Sequence, residues 1–122
     1  MRMHHPRPDT QAIGRAAEDV AAAFYLRAGF HLVARNFRTR RSEIDLVLAR
    51  GEQLLFVEVK GRAGAWEPHA WKPRWREKRR RLDTGMREFL ARHPDYSDRY
   101  EEFCVEIAFV TQGRVSARFR EW

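Results

Sequence analysis

The sequence contains a single cysteine, Cys104, so an internal disulfide is excluded. It lies in the apolar segment FCVEIAFV, where we expect a small buried thiol of a reduced, cytoplasmic protein. No stretch approaches the roughly 18 apolar residues that a membrane-spanning helix needs. The start, MRMHHPRPDT, is charged and contains proline, with no apolar segment behind it, so we predict no secretory signal.

Acidic residues are too few to balance the basic ones. Lysine and arginine number 24 against 17 aspartate and glutamate, which gives a net charge of +7 and an isoelectric point near 10.5. This charge favours polyanionic partners, nucleic acid first among them. The basic residues cluster on either side of the segment EIDLVLARGEQLLFVEVK. The clusters comprise Arg35, Arg38, Arg40 and Arg41 before it, and Lys72, Arg74, Arg76, Lys78, Arg79, Arg80 and Arg81 after it.

Apolar periodicity predicts an α/β fold. Helical spacing of apolar residues predicts helices over about residues 11–28 and 74–92. Strands are predicted in HLVARNF, EIDLVLAR, LLFVEVK, CVEIAFV and RVSARFR, with a hairpin near Gly51, whereas HPDYSD is predicted to be a loop. The order α-β-β-β-α-β-β favours a mixed β-sheet flanked by helices. We predict a single domain over residues 10–122, preceded by a flexible arm, 1–9.

Charged residues interrupt the apolar strands of the predicted hairpin. The apolar face of EIDLVLAR is predicted to comprise Ile44, Leu46 and Leu48. Glu58 and Lys60 lie two residues apart in LLFVEVK, so their side chains leave the same face of that strand. Burying Glu58 there without a partner would cost on the order of several kcal/mol, so something must neutralise it. Asp45, on the partner strand, can lie beside this pair.

Two carboxylates and an ammonium at one place suit phosphodiester hydrolysis. Asp45 and Glu58 supply the oxygen ligands that Mg²⁺ prefers, with Mn²⁺ as a substitute. Lys60 would orient or deprotonate the attacking water, or contact the scissile phosphate. The alternative is a buried acid–lysine cluster that only neutralises itself. The basic clusters and the second carboxylate favour the nuclease site.

The same residues carry a resemblance to known proteins. Asp45, followed by Glu58-Val59-Lys60 on the next strand, resembles the PD-(D/E)xK motif of the restriction-endonuclease-like fold. Over about residues 13–110 the chain resembles the bacterial YraN family, also called UPF0102. The matching pieces are Gly14, Glu18, Tyr25-Leu26, Gly29, Arg35-Asn36, EIDLV, LLFVEVKGR, Lys78 and Arg81-Leu82. The chain departs from the family at Ser42, usually glycine, and at Phe103-Cys104-Val105-Glu106, where the family usually has Arg-Phe-Asp.

The resemblance implies a three-layer core similar to that of archaeal Holliday-junction resolvases. It implies that Asp45 and Glu58 hold the metal with the help of the Val59 carbonyl, and that Lys60 is the catalytic lysine. It also implies that Glu18 is a further acidic site residue, the alternative being a surface glutamate near a helix N-terminus. The resemblance also implies DNA, including branched or junction DNA, as the substrate. The related resolvases act as dimers, and only by analogy with them is a homodimer expected here.

Basic residues beside the motif predict a nucleic-acid-binding surface. The predicted phosphate contacts are Arg38, Arg40, Arg41, Arg62, Lys78, Arg79 and Arg81. A solvated helix face is the alternative, and four successive residues cannot share one face. Trp66, Trp71 and Trp75 could stack on unpaired bases, although core packing is favoured for Trp75. Two other functions stay open: a non-catalytic nucleic-acid-binding module with the same fold, and a scaffold for an acidic protein.

Overall fold

A computed structural model describes residues 10–62 and 74–120 and confirms the predicted α/β class. The predicted arm, 1–9, lies outside the described residues. The helices are α1 (Thr10–Arg27), α2 (Trp75–Arg92) and α3 (Pro94–Arg99). The strands are β1 (His31–Arg38), β2 (Glu43–Arg50), β3 (Gln53–Arg62), β4 (Glu102–Thr111) and β5 (Arg114–Phe119).

The prediction of a loop at HPDYSD is wrong, because the segment contains α3. Pro94 starts this helix at a position where its missing N–H is not needed, and Asp95 lies in the first turn, where the helix dipole favours negative charge. Tyr96 packs against Phe89 of α2, with ring centroids 5.7 Å apart. Among the described residues, none of the helices has the length and apolar character needed to cross a membrane.

β3 lies at the centre of a sheet with the order β1-β2-β3-β4-β5. The pairs β1–β2, β2–β3 and β4–β5 are antiparallel, whereas β3 and β4 are parallel along their whole length. A parallel pair needs a long crossover, and α2 and α3 lie within it. The predicted hairpin is confirmed, and Gly51 in its turn has a positive φ of 58°.

Two apolar layers lie on opposite faces of this sheet. The layer under α1 contains Ala17, Ala21, Tyr25, Leu46, Leu48, Leu55 and Val57. The layer under α2 contains Ile44, Val47, Leu54, Phe56, Leu82, Phe89 and Ile107. The alternation predicted for LLFVEVK is therefore confirmed. That predicted for EIDLVLAR is wrong at Ile44, which faces α2 while Leu46 and Leu48 face α1, because the pairing of β2 with β1 skips Asp45, between Ile44 and Leu46.

A buried acid in β4 ties the end of the described chain to α1. Glu106 is 2% exposed and accepts hydrogen bonds from the hydroxyl of Tyr25 and from Nε of Arg120, the latter at 2.9 Å. Burial raises the pKa of Tyr25 and the charge of Glu106 raises it further, so Tyr25 keeps the proton that it donates. We made no sequence prediction for Glu106, although the argument applied to Glu58, an acid within an apolar strand, holds for it equally.

α1 crosses β3 at Gly61, where there is no room for a side chain. A Cβ at Gly61 would lie 2.8 Å from the Cβ of Ala17. We expect Gly61→Ala to lower the free energy of unfolding by about 1–3 kcal/mol, because helix and strand must move apart. Combining it with Ala17→Gly should recover most of that loss, apart from the roughly 1 kcal/mol that glycine costs within a helix. Denaturant titration of the single and double variants measures the coupling, and strictly additive losses would contradict the contact.

Candidate active site

β2 and β3 separate at the residues of the motif. Their ladder ends at the pair of Leu46 and Val57. Beyond that pair, a side-chain oxygen takes the place of a backbone acceptor of β2. Oδ2 of Asp45 accepts a hydrogen bond from the backbone N–H of Val59, 2.7 Å away. The N–H and C=O groups of one extended residue point to the same side, so the carbonyl of Val59 also faces the gap between the strands.

Glu58 lies between two lysines on the α2 side of the sheet. Lys60 Nζ is 2.9 Å from Glu58 Oε1, and Lys78 Nζ, from α2, is 3.3 Å from the same oxygen. The exposed fractions of these side chains are only 17% for Glu58, 32% for Lys60 and 18% for Lys78. The structure therefore places Glu58 and Lys60 on one face, as predicted. It also brings Lys78, predicted only as a phosphate contact, to the same carboxylate.

Asp45 lies among other acids. Burial is the largest cause that raises its pKa, from 3.8 to about 7. The hydrogen bond from Val59 opposes this rise, and the charges of Glu18 and Glu58 add to it. A carboxyl group in such surroundings is stabilised by any positive charge that comes close to it, whether a proton or a metal cation.

The two lysines differ in their electrostatic state. Burial is the largest single influence on the pKa of Lys60 and lowers it, but the charges of Glu58 and Asp45 and the contacts with Glu58 and Lys78 together outweigh burial and leave this pKa raised. For Lys78 burial dominates over the same attraction, and the nearby charge of Lys60 also acts against it, so the pKa of Lys78 is lowered. Lys60 is consequently the firmly charged member of the pair.

Glu18 reaches the cluster from α1. Burial raises its pKa, the charge of Arg35 opposes that rise, and the charge of Glu43 reinforces it. Its Oε1 is enclosed and has no hydrogen-bond partner in the part of the chain that the structure describes. Because its charge also raises the pKa of Asp45, Glu18 acts electrostatically on the site and is not a fully solvated glutamate at a helix N-terminus.

A pocket of about 450 Å³ opens in front of Glu58 and Lys60. The turn between β1 and β2 forms one wall and α2 forms the other. The basic residues that line it are Arg38, Arg40, Arg41, Lys60, Lys78 and Arg81. Five of the seven predicted phosphate contacts are thus gathered around the motif, although they come from segments about 40 residues apart in the sequence.

The other two predicted phosphate contacts are Arg79 and Arg62. Arg79 lies on another part of α2, where its Nε is 3.6 Å from Asp83 Oδ2. The side chain of Arg62 lies outside the described residues, as do Trp66 and Trp71. Trp75 is buried, with its ring centroid 4.7 Å from that of Phe119, which favours core packing over base stacking.

The turn that carries the arginines is held by its own side chains. Thr39 Oγ1 accepts hydrogen bonds from the N–H groups of Arg41 and Ser42, at 3.2 and 3.1 Å, and lies 3.0 Å from Ser42 Oγ. Gly85 of α2 leaves space for the turn, since a Cβ there would lie 3.0 Å from Ser42 Oγ. Thr39 and Ser42 are not among the site residues predicted from the sequence. Their short polar side chains within one turn are the signal that could have identified them.

The sequence that forms this site matches a known protein family. Residues 17–114 match the family described as "Uncharacterised protein family UPF0102". The chain belongs to this family. UPF0102 proteins of Halorhodospira halophila, Anaeromyxobacter sp. and Acinetobacter baumannii (strain AYE) are 42%, 34% and 35% identical to it. These matches cover 75%, 92% and 78% of this chain, and 75%, 84% and 71% of the relatives.

The UPF0102 chain has a donor set that fits a hard divalent cation. Within residues 10–62 and 74–120, no three His, Cys, Asp or Glu side chains form a metal-binding group on their own. Mg²⁺ does not require such a group, because one or two carboxylates with water and phosphate oxygens usually hold it. Asp45 and Glu58 make the contacts described above through one oxygen each, Oδ2 and Oε1. The carbonyl of Val59 adds a third oxygen at the gap between β2 and β3.

Proposed function

We propose that this UPF0102 protein is a metal-dependent endonuclease that hydrolyses phosphodiester bonds in DNA. The observation that carries the proposal is that Glu58 and Lys60 line a pocket with basic walls, while Asp45 interacts electrostatically with both of them. Arginines and lysines alone would serve a protein that only binds DNA. Carboxylates beside the phosphate would weaken such binding, so their presence favours chemistry over binding.

Asp45 and Glu58 are the residues that would hold the cation, with the carbonyl of Val59 beside them. Bound there, Mg²⁺ or Mn²⁺ would offset the charge that develops on the phosphate and lower the pKa of an attacking water. The raised pKa of Asp45 supports this assignment, because burial and the neighbouring acids Glu18, Glu58 and Glu43 create a demand for positive charge at that carboxyl group.

Lys60 would stabilise or orient rather than act as a base. Its pKa is raised, so it carries a positive charge at neutral pH and has no lone pair with which to accept a proton from water. Its contact with Glu58 would hold the ammonium group beside the bound cation, within reach of a phosphate oxygen or of the attacking water. Arg40 and Arg41 on one wall and Arg81 on the other would bind the flanking phosphates.

The family resemblance extends the proposal to the form of the substrate and of the protein. Branched or junction DNA is included because the resolvases to which the chain is similar act on it. A homodimer would present two of these pockets to a two-fold symmetric junction. Gel-shift assays on four-way and linear DNA, with light scattering of the free protein, test these two extensions separately from the chemistry.

The nuclease proposal predicts cleavage that depends on both the metal and Asp45. Purified protein should cut at least one member of a panel of linear, flapped and four-way DNA with Mg²⁺ or Mn²⁺, and should cut none with a chelator. Asp45→Asn should bind the same DNA without cutting it. Arg87→Ala, which removes an exposed charge from α2, is the control and should cut normally.

One outcome would favour the non-catalytic alternative. It is binding to DNA that weakens steeply with salt, is unchanged in Glu58→Gln, and is accompanied by no cleavage with either metal. In that case the acids would serve only to neutralise Lys60 and Lys78. Failure to bind any nucleic acid at low salt would favour a scaffold for an acidic protein partner.

A further inference from the structure

The pairing of β1 with β2 is interrupted at the residue that carries the metal site. Arg35 pairs with Leu46 and Phe37 pairs with Ile44. The register places Asn36 opposite Asp45, but these two residues do not pair. Asn36 has a positive φ of 53°, a left-handed conformation that few residues other than glycine adopt and that asparagine tolerates better than most.

The interruption reverses the faces of both strands. Before it, Arg35 forms an ion pair with α1 and Leu46 packs in the layer under α1. After it, Phe37 packs against Phe89 of α2, with ring centroids 5.2 Å apart, and Ile44 lies in the layer under α2. In a regular ladder, residues two apart along a strand face the same side. Both strands therefore change face at the same point, between these two pairs.

Asp45 is consequently released from β1 and made available to β3. A regular ladder would use the backbone of Asp45 for pairing with β1 and would leave its side chain on one sheet face. Here its carboxylate instead lies at the gap in the sheet and accepts the N–H of Val59 at 2.7 Å. The same reversal directs the turn at Thr39 and Ser42, with its arginines, towards Gly85 of α2.

We infer that Asn36 is a positioning residue for the site, and that it acts through its left-handed backbone rather than through its amide. The conformation of Asn36 breaks the ladder, and the break turns the carboxylate of Asp45 towards Val59. The consequence for metal binding rests on the proposed function. The structural claim, that residue 36 sets the Asp45–Val59 hydrogen bond, does not.

Two substitutions separate the backbone of Asn36 from its side chain. Asn36→Gly removes the amide but keeps the positive φ accessible, whereas Asn36→Val removes the amide and opposes that φ, since a β-branched residue is strained there. Hydrogen exchange of the Val59 amide, measured by NMR on the metal-free protein, reports the hydrogen bond to Asp45. Asp45→Ala, which removes the acceptor, defines the unprotected rate.

We expect Asn36→Val to speed exchange at Val59 about tenfold, towards the rate of Asp45→Ala, because the hydrogen bond from Val59 to Asp45 is lost. Asn36→Gly should stay within about twofold of the wild type on the same scale. Equal acceleration of exchange in both variants would show that the side-chain amide of Asn36 matters, and would overturn the inference. Retained protection in Asn36→Val would overturn it as well.

Gln112 provides a matched control for strain. It has a φ of 50° in the turn between β4 and β5, so Gln112→Val imposes the same kind of strain far along the chain from Asp45. This variant should lose stability in denaturant titration and leave the Val59 amide unchanged. If Gln112→Val accelerated exchange at Val59 as much as Asn36→Val, general loosening would explain the result and the inference would fail.

A second measurement distinguishes this inference from the proposed function. Addition of MgCl₂ or MnCl₂ should raise the Tm of the wild type and of Asn36→Gly equally, and that of Asn36→Val less, because only a correctly placed Asp45 completes the site. No Tm rise in any protein, together with the expected exchange pattern, would contradict the metal site while leaving the role of Asn36 intact. Equal Tm rises in all three would contradict the role of Asn36.

Discussion

Replacing Lys60 by alanine is expected to reduce the rate of metal-dependent DNA cleavage by about 10²–10³-fold, with little change in DNA affinity. The loss follows from the position of the ammonium group, 2.9 Å from Glu58 Oε1, where it can stabilise charge that develops on the phosphate. The phosphate-binding residues on the pocket walls are untouched, so the effect should fall on the turnover rate. Single-turnover cleavage and a binding titration on the same DNA measure the two quantities.

The fold should survive this substitution. Glu58 keeps its contact with Lys78 at 3.3 Å, so the buried carboxylate is not left without a partner. Lys60→Arg retains the charge but not the compact geometry of an ammonium group, and should recover only part of the activity. Cleavage by Lys60→Ala within a few fold of that by Arg87→Ala would rule out the assigned role of Lys60.

Replacing Asp45 by asparagine is expected to stabilise the metal-free protein at pH 8, on the order of 2–4 kcal/mol. The variant loses a buried charge beside other acids, and its amide oxygen can still accept the N–H of Val59. The magnitude follows from the displacement of the Asp45 pKa from 3.8 to about 7. Urea titrations of both proteins at several pH values measure it.

The pH dependence of this difference has a defined sign. The unfolded chain releases the Asp45 proton near pH 4, whereas the folded protein holds it up to about pH 7. The contribution of Asp45 to stability is therefore complete below about pH 4 and is lost as the pH rises through 7. Asp45→Asn should match the wild type at pH 4 and exceed it increasingly up to about pH 7. A constant difference across this range would contradict the raised pKa.

Magnesium should reverse the order of the two proteins. A cation that binds the folded wild type stabilises it by mass action, and the neutral amide of Asp45→Asn binds that cation weakly. The Tm of the wild type should therefore rise with MgCl₂ concentration while that of the variant stays constant. Equal responses would exclude Asp45 as a ligand, whatever the result of the cleavage assay.

The buried acids of the candidate site lower the stability of the metal-free protein. Burial raises the pKa of both Asp45 and Glu18, so each destabilises the metal-free protein when it is charged. Buried groups with perturbed pKa values occur in structural networks as well as in active sites. Glu106 is of the structural kind, because it accepts hydrogen bonds from Tyr25 and Arg120. These bonds tie α1 to the residue that follows β5. Glu18 differs from Glu106, because its enclosed Oε1 has no hydrogen-bond partner among the described residues.

Sequence by itself determined the elements and the central pair. Apolar spacing placed α1, α2 and the five strands, because helix and strand periodicities are local properties of the chain. Glu58 and Lys60 could be assigned to one face for the same reason, since side chains two apart on a regular strand always share a face. The family could be recognised because its motifs are local as well.

Only the tertiary structure decided what surrounds that pair. Lys78 meets Glu58 because α2 packs across β3, and the arginine turn faces the same pocket because it packs beside Gly85. The position of Asp45 depends on a break in the ladder at Asn36, where alternation fails and a prediction based on it was wrong for Ile44. These features depend on the packing of distant segments and on one left-handed residue. Packing and a single left-handed residue leave the local apolar pattern unchanged, and secondary structure is predicted from that pattern.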